Sequence, residues 1–292
     1  TAVGRTALSF ELAREMGGEI VSADSIQVYK ELDIGAGKPS KEELCSIPHH
    51  LIDVCDLSES YNVARFYHEA TKAIQEIQAR GNVAIVVGGT GFYVSSLLYG
   101  PPTGPPASME VRGELEKELE RLGIEALYEC LKQVDPEYGK KITANDNQKV
   151  IRGLEIMVLT GKKVSDFESS REKREIKNYN FRCFFLYYPR DVLYPKIEVR
   201  CDEMLAHGLI DETAGLIEKG LLENTSAASS IGYRQCIDYL NSAKSVEDFE
   251  HFVSEFKKMT RRYAKRQFTW FRREALFRWL DMGVHGMESI KH

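Results

Sequence analysis

The 292-residue sequence predicts an α/β fold: a mainly parallel sheet with helices on both faces, carrying a separate helical insertion. Three observations carry that prediction. Strand-like and helix-like periods alternate through the first hundred residues, as βα units do. The run Val83-Ala84-Ile85-Val86-Val87 is wholly apolar and flanked by Gly81 and Gly88, which predicts a central strand covered on both faces. PPTGPP at 101–106 then breaks the texture, and charged helical periods follow without a convincing strand until about residue 180.

Taken in order, Thr6 to Met16 places Ala7, Leu8, Leu12 and Ala13 at helical spacing and stops at Gly17-Gly18. Glu19–Ser22 and His50–Val54 read as short strands. A helix starts from Asn62, a good N-cap, with Val63, Phe66, Tyr67, Ala70, Ile74 and Ile77 on one face and Gly81 as its stop. Beyond the linker, helices are predicted near 110–122, 124–133 and 146–159, the last closed by Gly161. FRCFFLYY (181–188) is apolar enough to rejoin the sheet, and the chain then finishes in helices. Residues 1–100 and 181–292 are thus expected to form the α/β core, and 101–180 the insertion. There are no internal repeats.

Composition narrows the function. Apolar residues make up 43% and charged residues 28%, which is ordinary for a globular chain. No run approaches the roughly 18 apolar residues of a membrane span, so no transmembrane helix is predicted. With no signal-like segment at Thr1, a cytoplasmic location and no membrane partner are expected. The six cysteines form no C-x-x-C pair and the histidines lack metal spacing, which argues against a zinc ribbon or redox dithiol. The net charge of −5 does not favour nucleic acid, but it hides a local stripe. KKMTRRYAKRQFTWFRR (257–273) holds eight Lys or Arg and no acid, interleaved with Tyr263, Phe268, Trp270 and Phe271. Such a stripe suits phosphates and stacked bases. An amphipathic helix burying Phe256, Met259, Tyr263, Gln267 and Trp270 fits the same residues, and both can hold.

Three further motifs carry chemistry. Thr1-Ala2-Val3-Gly4-Arg5-Thr6 followed by a helix is the second half of a P-loop, whose amides and helix N-terminus cradle phosphates. Asp24 follows the strand ending at Ser22, beyond the carboxyl end where ligands sit in open parallel sheets. It could accept a proton, and a turn aspartate would stand there equally well. In VVGGTGFY (86–93) paired glycines and Thr90 join strand to helix, as an anion-binding turn or a plain one.

Together and in order, these motifs resemble one family, the tRNA dimethylallyltransferases, also called tRNA isopentenyltransferases. The resemblance rests on TAVGRT, on Asp24-Ser25-Ile26-Gln27-Val28-Tyr29-Lys30, and on LDIGAGKP (32–39) and VVGGTGFY. It continues through NDNQKVIRGLEI (145–156), SSIGYRQ (229–235) and RRYAKRQFTWFRR (261–273), and covers nearly the whole chain. It implies a P-loop NTPase-like core that transfers the dimethylallyl group of dimethylallyl diphosphate to N6 of the adenine 3′ of the anticodon in tRNA. That base would be flipped out of the anticodon loop. Asp24 matches the family's general base, and Thr90 joins it as catalytic. Thr1, Ala2, Val3, Gly4, Arg5, Thr6 and Arg200 would hold the diphosphate, with Mg²⁺ on Thr6. The tRNA anticodon stem-loop would meet Asp24, Ser25, Ile26 and Gln27; Gln148, Lys149, Val150, Ile151 and Arg152 of the insertion; Ile231, Gly232, Tyr233 and Arg234; and Tyr263, Ala264, Lys265, Arg266 and Gln267. The family is expected to work as a monomer.

The sequence also departs from the family. Arg5 stands where the motif has Lys, and a planar fork is not a compact ammonium. The first P-loop glycine, its neighbour and the strand before them are absent, and a chain cut there is expected to be less stable and catalytically impaired. LDIGAGKP differs from the usual GTAK, so no role is assigned to Lys38. The competing readings are a P-loop small-molecule kinase, a prenyltransferase acting on free adenine nucleotides, and a catalytically dead RNA binder.

Overall fold

Residues 2–167 and 179–285 are described by the computed structural model of the chain. They divide into two compact units, Thr1–Leu97 with Tyr179–His292, and Leu98–Asn178.

In the first unit, α1 (Arg5–Met16) ends where Gly17 turns left-handed and its N–H returns to the Ala13 carbonyl. The chain then enters β1 (Gly18–Ser22), which is buried along its whole length. It runs parallel to β2 (His49–His50) on one side and β3 (Val83–Val87) on the other, giving the order β2-β1-β3. Parallel neighbours need a crossover, and α3 (Val63–Ala79) provides it after the short α2 (Lys41–Ser46). Asn62 Oδ1 accepts the N–H groups of Ala64 and Arg65, both at 3.0 Å. Strand alternation sorts the two faces of the sheet. Ile20, Ile85 and Val87 pack with Phe10 and Ala13 of α1, while Val21, Ala84 and Val86 pack with Phe66, Ala70, Ile74 and Ile77 of α3.

Five expectations are corrected. The covered strand is β1 and not the apolar run of β3, which among the described residues pairs only with β1 and leaves Val83 38% exposed. The strand expected over His50–Val54 stops at His50, because Leu51 and Asp53 take positive φ (64° and 57°), incompatible with extension. FRCFFLYY does not rejoin β1–β3. Its β4 (Cys183–Tyr187) pairs in parallel with β5 (Phe277–Asp281) as a two-stranded sheet, inside a stretch read as helical. Trp279 of β5 packs on Phe185 of β4, ring centroids 4.4 Å apart. After α4 (Gly91–Tyr99), α9 (Arg190–Ala206), α10 (Leu209–Glu218), α11 (Thr225–Ala228) and α12 (Tyr233–Leu240), the long α13 (Val246–Phe271) buries Phe252, Phe256, Thr260, Ala264, Gln267 and Phe271. That stripe keeps Phe256 and Gln267 of the expected face, leaves Met259 and Tyr263 half-buried, and turns Trp270 outward, 41% exposed.

Glu19 is the one acid inside β1. Arg80 grips it through two nitrogens, Asn82 donates at 2.9 Å, and His50 Nε2 lies 2.7 Å away. The Arg80 guanidinium, against burial and helped by Asn82 and His50, pulls the Glu19 carboxyl down to about 2. A carboxyl depressed below its unfolded value adds stability above that value and loses it as pH falls through the folded one. The melting temperature is therefore expected to drop between about pH 5 and pH 2. Glu19→Gln should lower it by a few degrees at pH 7, for about 1–3 kcal/mol lost, and flatten the acid limb. Parallel acid limbs in the two proteins, followed by calorimetry, would contradict this.

The second unit is helical: α5 (Met109–Leu122), α6 (Ile124–Val134), α7 (Pro136–Gly139) and α8 (Asn147–Thr160), with no strand among its described residues. Leu127, Leu131, Tyr138, Val150 and Ile156 form its own core. Glu155 is wholly buried there and accepts from the Ser108 N–H (2.7 Å), Arg112 (3.1 Å) and Arg152 (2.5 Å).

Candidate active site

A cavity of about 670 Å³ opens in the first unit, lined by the start of α1 and by residues just past β1 and at the end of β3. Gly4 leads into α1 with φ 78°, a backbone that favours glycine, and no side chain caps the helix. The first-turn amides therefore lack intrahelical partners, and the positive end of the helix dipole faces the cavity. Two guanidinium groups, Arg5 and Arg200, line the same space, and neither makes an ion pair among the described residues. Burial first, then the charge of Arg5, pushes Arg200 below its ordinary value. Uncapped amides beside two unpaired cations form a seat for a polyanion.

Asp24 lines the cavity on another side. Its Oδ1 accepts the Ile26 N–H at 3.0 Å, which closes a turn, while Oδ2 has no partner among the described residues. Turn formation thus occupies one oxygen and leaves the other open among the described residues. Thr90 Oγ1 accepts the Ser25 N–H (3.0 Å) and its hydroxyl donates to Ser25 Oγ (3.3 Å), tying the turn after β3 to the Asp24 turn. A Cβ on Gly88 would overlap the Ala23 carbonyl, so this approach needs glycine. The Gly89 carbonyl accepts from Gln267 Nε2 at 3.0 Å, and Tyr263 Oη lies 3.4 Å from it. The Gly88-Gly89-Thr90 turn is therefore held from both the Asp24 loop and α13.

The profile of the IPP transferase family matches residues 27–274. The chain belongs to that family. It is similar to the tRNA dimethylallyltransferase of Protochlamydia amoebophila, 52% identical over 99% of this chain and 84% of the relative. The enzyme of that name from Chlamydia trachomatis serovar D is 44% identical over 97% and 91%. Among solved structures, the tRNA isopentenylpyrophosphate transferase of Bacillus halodurans superposes with a TM-score of 0.70 at 40% identity, covering 100% of this chain and 90% of that one. A eukaryotic dimethylallyltransferase acting on tRNA gives 0.78 at 29%, covering 99% and 75%.

The remaining residues singled out in this IPP transferase family member fall in different settings. Thr1 lies outside the described residues. Ala2, Val3 and Thr6 line the cavity, as do Ser25, Ile26, Gln27, Ile231, Tyr263 and Arg266. Lys265 and Arg234 are exposed, Arg234 paired with Asp238. Ala264, Gln267, Gly232 and Tyr233 are buried, and the Tyr233 hydroxyl donates to Glu212 at 2.6 Å. In the helical unit Gln148 and Lys149 are exposed, whereas Val150 and Ile151 belong to its core. Arg152 is engaged by Glu155 and by the Pro105 carbonyl. Of the eight cations in 257–273, Lys257, Lys258 and Arg261 pair with Asp202, Glu255 and Glu198. Arg262, Lys265, Arg266, Arg272 and Arg273 form no ion pair among the described residues. Sequence reasoning missed Glu212 and left Lys38 without a role. The Lys38 ammonium is enclosed by the Tyr29 carbonyl (2.8 Å), Asp33 (2.8 Å) and Asp53.

No cluster of three His, Cys, Asp or Glu suited to a metal occurs among the described residues. Magnesium needs none: it keeps waters and takes one or two protein oxygens beside those of a diphosphate. Thr6, on the cavity wall at the start of α1, fits that mode through its hydroxyl. Arg5 reaches across to Gly89, where a Cβ would lie 2.9 Å from Nη1. A compact ammonium would sit between phosphate oxygens without that span. Arg5→Lys is therefore expected to raise turnover, and equal or lower turnover would contradict it.

Proposed function

We propose that this chain is a tRNA dimethylallyltransferase, moving the dimethylallyl group from dimethylallyl diphosphate to N6 of the adenine immediately 3′ of the anticodon. The carrying observation is that Asp24 and two guanidinium groups without an ion pair among the described residues line one cavity at the uncapped start of α1. That is a proton acceptor and an anion seat, the two things the transfer requires. Relatives bearing this activity in their names at 44–52% identity support the reading.

An exocyclic aromatic amine is a weak nucleophile. Asp24 Oδ2 accepts a proton from N6 as the N–C bond forms at the allylic carbon. The C–O bond to the diphosphate breaks, and the departing negative charge meets Arg5, Arg200 and the α1 amides. Bound Mg²⁺ would neutralise part of that charge, held by the Thr6 hydroxyl beside the diphosphate oxygens. The exposed cations of α13 and the exposed Gln148 and Lys149 offer contacts to an anticodon stem-loop, whose phosphates supply most of the affinity. The buried residues of the same segments, Ala264, Gln267, Val150 and Ile151, shape the helices that present them. The chain works as a monomer in the cytoplasm in this reading, and no helix among the described residues is long and apolar enough to cross a membrane.

The test is incubation with Mg²⁺, labelled dimethylallyl diphosphate and an anticodon stem-loop carrying that adenine, with free AMP in parallel. Label in the RNA that depends on Asp24 supports the proposal. Label in AMP alone, or tight stem-loop binding without label, would overturn it.

A further inference from the structure

Residues 33–37 form a loop without regular secondary structure, yet they wall the cavity at Gly35, Ala36 and Gly37. Its shape is set from outside. Glu212, in the first turn of α10, accepts three successive backbone N–H groups, those of Asp33 (3.2 Å), Ile34 (2.7 Å) and Gly35 (3.1 Å). Consecutive amides converging on one anion make a nest, and here the anion is the protein's own carboxylate. Tyr233 adds its hydroxyl to Glu212, and its ring lies where a Cβ on Gly35 would go.

The far end of the loop then acts on two cavity groups. Gln27 Nε2 donates to the Ala36 and Gly37 carbonyls at 3.3 and 3.2 Å, while its Oε1 accepts the Ser22 hydroxyl at 2.8 Å. Both ends of that amide are fixed. Gly37, with φ 59°, leaves the space that Arg200 Nη2 fills, and any Cβ there would overlap the guanidinium. Arg200 has no ion pair to orient it among the described residues, so the Gly37 backbone is the wall it rests on.

We propose that Glu212 is a positioning residue for the transfer, fixing the 33–37 loop so that Arg200 and Gln27 are set toward the substrate. The inference rests on the function proposed above. Glu212→Gln keeps the shape but leaves one carbonyl oxygen to serve four donors. Misplacing a binding group by about an ångström costs on the order of 10²-fold in rate.

The experiment compares wild type, Glu212→Gln, Glu212→Asp, Gly37→Ala and Glu19→Gln by melting temperature, by kcat and KM for dimethylallyl diphosphate, and by calorimetric binding of inorganic diphosphate. Glu212→Gln and Gly37→Ala are expected to lower kcat/KM for the donor on the order of 10²-fold. Both should also weaken diphosphate binding about tenfold. Glu19→Gln, which removes a buried carboxylate whose partners Arg80, Asn82 and His50 lie outside the loop, should stay within about threefold of wild type. Wild-type kcat/KM in folded Glu212→Gln, or an equal loss in Glu19→Gln, would overturn the proposal. Should Glu212→Gln not fold, Glu212→Asp decides, with a loss expected and full activity overturning it. If wild type transfers no label, the function above has failed, and Glu212 is judged by diphosphate binding alone: weakened binding upholds its role and unchanged binding refutes it.

Discussion

Asp24→Asn is expected to lower kcat for dimethylallyl transfer by about 10²–10⁴-fold, with KM for both substrates nearly unchanged. The asparagine carbonyl can still accept the Ile26 N–H that Oδ1 accepts now, at 3.0 Å, so the turn should survive. What disappears is the free oxygen, replaced by an amide that donates protons and accepts none. Loss in kcat without loss in binding is the signature of an interaction made only in the transition state. Single-turnover transfer with enzyme in excess over the stem-loop measures it directly. Turnover above about a tenth of wild type would mean that the N6 proton leaves by another route. Asp24→Ala would be less informative, because it removes the turn acceptor as well.

The residues around this turn show what a sequence exposes and what it hides. Asp24 was legible because a carboxylate just past a buried strand of a parallel sheet stands at the ligand crevice whatever else it does. Gly88 and Thr90 were legible because a strand-to-helix turn with paired glycines implies close backbone approach, here to Ala23. The caps of α1 and α3 follow from local chemistry at Gly17 and Asn62. Arg200 is different: it enters the cavity from a helix 176 residues further along the chain, by tertiary packing, and resemblance alone pointed to it. Glu212 had no local signal, since three of its four partners are backbone amides about 180 residues away and the fourth is the Tyr233 hydroxyl on another helix. The same cause explains the strand errors. Burial of β1 and exposure of β3 depend on which neighbours pair, and β4 with β5 is a non-local pairing. The α13 face was misjudged because two apolar stripes overlap on that helix, and only packing chooses between them.

The second large effect is expected at Arg200. Arg200→Ala should reduce kcat/KM for the donor by about 10²–10³-fold, with loss in both kcat and donor KM. Two features set its weight above that of an ordinary surface arginine. It is half-buried, and burial together with Arg5 pushes its guanidinium below the usual value. A partly desolvated cation with no acid paired to it among the described residues gains most when an anion arrives. Diphosphate also becomes more negative as the allylic C–O bond breaks, so the same group binds ground state and transition state unequally. Arg200→Lys should recover only part of the loss, because a point charge cannot reproduce the fork that rests against Gly37. Stem-loop affinity should change little, since the unpaired cations of α13 remain in place. The double variant with Arg5→Ala apportions the effect: a loss multiplying the two single effects, the expected result, shows that each guanidinium stabilises the leaving diphosphate on its own, a larger loss shows that each covers for the other, and a loss no greater than that of Arg200→Ala shows that Arg5 contributes nothing once Arg200 is gone.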